Sequence, residues 1–240
     1  MAYKRIIHKD FGEITIYKKK HARGLRISIA HNGKIRVSMP KWLPFKLGEK
    51  FIYENNKWLV SNYKKKQTLN HGDVIGKNHI LLFETSIKLE KPRSRITNEH
   101  IIIKLPSQLE PDDKKAQDLA SRACIKALKK QADQLLADRI TFLASEHGFV
   151  FRIFSLRQMT TRWGSCNQKK EIVLNTFLIQ LPWSLIDYVI LHELAHTKIL
   201  AHGKKFWSEL DKYVDDLPSK RKFIKNYRPA LYVGDEWIKQ

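Results

Sequence analysis

Residues 190–203 read ILHELAHTKILAHG, and this stretch limits the fold more than any other. Three histidines and a glutamate fall among aliphatic residues that belong in a core. His192 and His196 are four apart, so on a helix both imidazoles project from one side, one turn apart. Glu193 points about 100° away from His192. Leu185, Ile186, Val189, Ile190, Leu194 and Ala195 supply apolar faces, and the pattern predicts a helix from Ser184 to about Leu200. Ser184 with Asp187 three residues on has the form of a capping box. His202 lies six residues beyond His196, too far along the axis of a continuous helix to join the other two histidines. The helix must stop near Leu200 if His202 is to turn back, and Gly203 would ease that turn.

Two neutral imidazoles one turn apart can share a divalent ion, and a carboxylate offset from them can reach a water on that ion. That is the HExxH arrangement, with Glu193 as general base. His202 would make a third protein ligand and leave a fourth position open, which is the catalytic form of a zinc site. The plainer alternative is two buried histidines bonded to carbonyls, with His202 on the surface.

The 240 residues, 42% hydrophobic and 29% charged, are globular in composition and long enough for a substantial core. No apolar run reaches the roughly 18 residues of a membrane span, and the first twenty residues lack a signal-peptide core. A cytoplasmic protein without membrane attachment is expected. Two cysteines, Cys124 and Cys166, are too few for a disulfide scaffold and are expected to be reduced. The net charge of +21 is uneven: residues 1–66 hold 17 Lys/Arg against 4 Asp/Glu. Such an excess attracts polyanions, so nucleic-acid contact through this basic region is one expectation. The lysine runs at 18–20 and 64–66 read as solvated faces.

The fold class expected is α+β. Glu13 opens one strand, and Arg26–Met39 alternates apolar and polar residues around Asn32-Gly33, a strong hairpin signal. Leu47–Tyr63 has helical spacing through Phe51, Ile52, Trp58 and Leu59. Residues 72–84 and 96–105 read as strand pairs around Gly or Asn turns. Pro106 to Pro111 marks a boundary, which divides the chain into a basic β-rich region with a helix over 1–105 and a second domain over 106–240. A long helix follows, with Asp112 and Asp113 at its start, a stripe from Leu119 to Leu143 and Gly148 as its stop. Strands are expected at Val150–Leu156 and Glu171–Leu174. No internal repeat is visible.

The segment VILHELAHTKILAHGKKFW, preceded by TRWGSCN, resembles the YgjP-like metallopeptidase family of zincins, related to SprT-like proteins. The residues that carry the resemblance are Arg162, Trp163, Gly164, Ser165 and Cys166, then His192, Glu193, His196 and His202, then Phe206 and Trp207. It implies a zincin-like catalytic domain over 106–240, with long helices packed on a small sheet. It also implies Zn2+ as cofactor, held by His192, His196 and His202, with Glu193 as base. An edge strand at Glu171–Leu174 that pairs with extended peptide is a further implication. Ala201 and Gly203 flank His202 where family members more often carry Asn and Ser. Ile199 stands where the metzincins, which share the histidine spacing, carry glycine.

Other residues admit two readings. Trp163 and Gly164 can form a packed turn, or Arg162 can face the site and bind an anionic substrate group or a developing oxyanion. Cys166 as nucleophile lacks an identifiable base, and as a fourth ligand it would close the site. Trp207 is expected in the core. Glu209 is expected on the surface, with support of a ligand histidine as the alternative.

Three functions follow in order. The first is a zinc-dependent metallopeptidase, in which activated water attacks a peptide bond of a peptide or protein substrate. The second keeps the metal and hydrolyses a nucleoside triphosphate, because Arg162 and the basic N-terminal region suit polyphosphate. The third is a basic nucleic-acid-binding module with a structural metal. Nothing in the sequence fixes the oligomeric state.

Overall fold

The computed structural model describes residues 2–29, 34–62 and 68–232. The chain divides into two compact units, residues 1–67 and 68–240.

In the first unit, β1 (Tyr3–His8), β2 (Gly12–Lys19), β3 (Arg26–Ile29) and β4 (Ile35–Pro40) form one sheet in the order β1-β2-β4-β3. β2 and β4 run parallel in the middle, with Ile14 opposite Ile35 and Ile16 opposite Val37. All four side chains are buried, because alternate residues of a strand share one face. The expected pairing of β3 with β4 is present, while its Asn32-Gly33 turn and the lysine run at 64–66 lie outside the described residues. α1 (Phe45–Glu54) and α2 (Asn56–Asn62) replace the single helix expected from Leu47. The break is at Asn55, whose side-chain amide donates to the Phe51 carbonyl and so competes with helix continuation. The Tyr63 end of that stretch also lies outside the described residues.

The second unit opens with β5 (Val74–Ile75), β6 (His79–Ser86), β7 (Arg93–Ile96) and β8 (His100–Pro106) in the order β5-β6-β8-β7. Two hairpins again place their inner strands parallel, here β6 and β8. The topology of the first sheet is thus repeated, although the sequence shows no repeat. The boundary between compact units falls at residue 67 and not at 105, because this sheet packs on the helix that follows it. That helix, α3 (Lys114–Glu146), buries Ala116, Ala120, Ala123, Ala127 and Ala132, side chains small enough for close approach. Two buried glutamines bind it to the loops around the sheet. Gln117 accepts from the Leu69 amide and donates to the Leu69 and Pro111 carbonyls. Gln131 accepts from the Lys77 amide and donates to the Ile75 carbonyl. α3 ends as expected: Gly148 has φ 64°, and the amides of Gly148 and Phe149 return to the carbonyls of Ser145 and Ala144.

β9 (Ile153–Arg157), β10 (Gly164–Cys166) and β11 (Glu171–Asn175) form a small sheet in the order β10-β11-β9. The strand expected at an edge, Glu171–Leu174, is therefore central, and β10 is an edge strand. A 3-10 turn (Thr176–Gln180) leads into α4 (Trp183–Ala195), followed by α5 (Lys204–Leu210) and α6 (Leu217–Asn226). The architecture is mixed α+β, with long helices on small sheets. Among the described residues no helix is long and apolar enough to cross a membrane.

Candidate metal centre and active site

α4 carries the histidine segment and is buried on most of its surface. It starts at Trp183 after Pro182, with no side-chain cap. The expected Ser184–Asp187 box does not form, because Asp187 instead makes a bidentate pair with Arg139 of α3 at 2.6 and 2.7 Å. α4 ends at Ala195, one turn before the expected stop. The chain then turns through residues 196–203, and α5 begins at Lys204. Gly203 sits at φ −81°, ψ −176°, extended backbone that any residue adopts, so the turn does not require its freedom.

This turn brings the three imidazoles together. His202 Nε2 lies 3.0 Å from His192 Nε2 and 3.0 Å from His196 Nε2. Each imidazole nitrogen offers one N–H or one lone pair, so His202 Nε2 cannot satisfy both neighbours well. A shared cation would satisfy all three. Tetrahedral zinc–nitrogen bonds of about 2.0–2.1 Å put neighbouring nitrogens about 3.3 Å apart, close to what is seen. His196 Nδ1–H donates to the Ile199 carbonyl at 3.1 Å, which leaves its Nε2 lone pair for a ligand. His192 Nδ1 is buried without a partner. Burial, then the neighbouring imidazoles and Arg221, push His192 down to about 3. His196 is lowered by burial, against the opposing effect of its carbonyl bond. Both are therefore neutral at pH 7, the form that binds metal. These residues fit a divalent metal, and they are the group of ligand-type side chains among the described residues close enough to hold one.

Aromatic rings hold the cluster. Phe206, fully buried, stacks on His196 at 4.4 Å between centroids. Trp207 is half-buried and not in the core as expected. It stacks on His202 at 5.6 Å, and its Nε1–H donates to the His202 carbonyl. The Arg221 guanidinium lies over the Trp207 ring at 3.9 Å. Among the described residues Glu209 hydrogen-bonds no histidine. It bonds Lys212, Lys198 and Tyr213, and Lys198 lies in the turn that returns His202.

Glu193 is 5% exposed, and no group among the described residues hydrogen-bonds its carboxylate. Burial pushes it up to about 8, partly offset by the Arg162 charge. It lines a cleft of about 500 Å³ together with His192, Tyr188, Arg162 and Gly164. Gly164, which the sequence suggested for a packed turn, lies against Glu193 instead. A Cβ there would lie 2.6 Å from Glu193 Oε1 and 2.7 Å from Cγ. The segment is a strand edge packed on the glutamate, not a turn. Trp163 is buried, with its Nε1–H donating to the Tyr227 carbonyl. Cys166 lies apart from the histidine cluster, with its thiol directed at the Asn167 carbonyl and pushed up to about 11 by burial. Tyr188 was also missed, although its place one helical turn before His192 is legible from spacing alone.

A family model described as YgjP-like, metallopeptidase domain, matches residues 23–227. No curated protein matches the chain. Two solved structures are similar over 38% of this chain and 90% of their own. They are the metallopeptidase zymogens of Pyrococcus abyssi abylysin (22% identity, TM-score 0.34) and of Methanocaldococcus jannaschii jannalysin (26% identity, TM-score 0.31).

Proposed function

This chain belongs to the YgjP-like metallopeptidase family, a family of metal-dependent hydrolases, and we propose that it cleaves peptide bonds with zinc held by His192, His196 and His202. The observation that carries the proposal is the convergence of three Nε2 atoms beside a cleft that also exposes a buried, unbonded carboxylate. Zinc, when bound, supplies a Lewis acid and lowers the pKa of water at the site.

The chain's own residues do the rest. Glu193 takes the proton of the attacking water and delivers it to the leaving amine. A buried carboxylate without hydrogen bonds is a stronger base than a solvated one. Arg162 borders the cleft and binds an anionic group or the carbonyl oxygen as charge develops on it. β10, an edge strand, offers its open side to an extended substrate backbone.

The test is metal analysis and turnover of wild type, His202→Ala and Glu193→Gln on peptide and nucleoside triphosphate panels. Wild type should carry zinc, His202→Ala should lose it, and Glu193→Gln should keep zinc and lose peptide turnover. A wild type that takes up no added zinc, or full turnover in Glu193→Gln, overturns the proposal. Phosphate release from nucleotides without peptide cleavage would replace the substrate class.

A further inference from the structure

The cleft beside Glu193 is lined on one side by the segment 161–164 and on the other by the end of α6 and the residues after it. Three of its lining residues are cationic: Arg162 from the first wall, Lys225 and Arg228 from the second. All three are exposed, and none makes an ion pair with another described residue. The acidic group lining the cleft is Glu193, buried and reserved for proton transfer. Thr161, Tyr188 and Tyr227 add hydroxyl groups, so the walls offer hydrogen-bond donors and positive charge without a competing surface carboxylate.

A cleft lined by one sign of charge focuses its field on whatever enters. Some lysines and arginines elsewhere in this unit pair with acids, Arg152 with Glu171 and Lys198 with Glu209. Neutralisation in the cleft is left to the ligand. We propose that this cleft selects peptides with Asp or Glu close to the scissile bond, with Lys225 and Arg228, beside Arg162, as the residues that set this specificity. The proposal rests on the peptidase reading of the same site and concerns which peptides it accepts. The two arginines can grip a carboxylate through paired N–H donors, whereas Lys225 acts as a point charge.

The experiment uses the full chain with zinc and Glu193→Gln, so that binding is read without turnover. Fluorescent peptides of one length, bearing Glu, Gln or Lys at the same positions, are compared by anisotropy at two ionic strengths. The acidic peptide should bind about tenfold more tightly than the Gln peptide at low salt, with the difference narrowing as salt screens it. Lys225→Gln with Arg228→Gln should abolish most of that preference, while the Gln peptide binds as before and shows that the cleft is intact. Equal affinity for the Glu and Gln peptides overturns the proposal, as does a preference that survives the double substitution. So does nucleotide binding with no peptide binding. Wild-type turnover is scored separately. Cleavage without acidic preference defeats this inference alone, and acidic binding without cleavage defeats the hydrolytic reading alone.

Discussion

Gly164→Ala is the smallest change that should reach the proposed base without touching a proposed metal ligand. Gly164 lies in β10 at an ordinary negative φ, so alanine carries no backbone penalty there and would gain about 0.4–1 kcal/mol by restricting the unfolded chain. Its new methyl group would meet Glu193 Oε1 at 2.6 Å, Cγ at 2.7 Å and Cδ at 2.9 Å. Ordinary contact begins near 3.4 Å, so the carboxylate or the strand must give by 0.5–0.8 Å. The glutamate side chain yields more easily than a strand paired residue for residue with β11. The displacement therefore falls mainly on the carboxylate. Overpacking of this kind costs about 1–3 kcal/mol of stability, partly offset by the backbone gain. A misplacement near 1 Å in a reacting group can cost about 100-fold in rate.

The expected result is a fall in kcat of roughly 30- to 100-fold with zinc content unchanged and only a small change in Tm. Zinc content and Tm matter because they separate a misplaced base from a lost metal or a damaged fold. Turnover within about threefold of wild type would refute the reasoning, since it would mean the carboxylate relaxes to an equally good position. Loss of zinc would refute it differently, by placing the damage at the histidines.

Two further outcomes follow from groups outside the ligand set. Burial pushes the Cys124 thiol up to about 12 and the Cys166 thiol up to about 11, so alkylating agents at pH 8 should label neither in the folded protein and both after unfolding. Rapid labelling of Cys166 with loss of peptide turnover would restore it as a nucleophile. The hydrogen bonds from Lys212, Lys198 and Tyr213 hold Glu209 down at about 2, below its unfolded value near 4.3, so its contribution is present above pH 4.5 and fades as pH falls toward 2. In urea unfolding Glu209→Gln should therefore be less stable than wild type at pH 7 and converge with it on acidification; a gap that persists near pH 2 would contradict this.

Local signals were readable from the sequence where the physics is local. Gly148 stops α3 because a left-handed residue is needed there, and residues 72–84 fold as the strand pair expected around a Gly turn, while the pair expected within 96–105 is a hairpin whose first strand lies earlier, at Arg93–Ile96. The i,i+4 spacing placed His192 and His196 on one face, and the need for a returning turn put His202 beside them. What was not readable depends on partners far away in the chain. β1 escaped notice because Tyr3–His8 is mostly exposed and shows little alternation. The parallel pairing of β6 with β8 draws its sheet onto α3, and this moves the unit boundary from 105 to 67. Among 45 lysines and arginines, nothing in the sequence marks Lys225 and Arg228 as the ones beside the cleft. That follows from the packing of the segment after α6, whose Tyr227 carbonyl takes the Trp163 indole N–H.

The early end of α4 has a cause within the site itself. After Ala195 the Leu194 carbonyl accepts from both the Thr197 amide and the Thr197 hydroxyl, a tightened turn in place of the next α-helical bond. His196 Nδ1–H draws in the Ile199 carbonyl, so the side chain that faces the cluster with one nitrogen bends the backbone with the other. Lys198 then fixes the turn from outside, against Glu209, Tyr213 and the ring of Phe149. Phe206 fills the inside of the curve against all three imidazoles. With Gly203 in ordinary extended backbone, no glycine is needed for the reversal. The third histidine is therefore delivered by the second, through one imidazole that serves the helix stop and the ligand set together. Truncating His196 would remove a proposed ligand and also release the turn that presents His202.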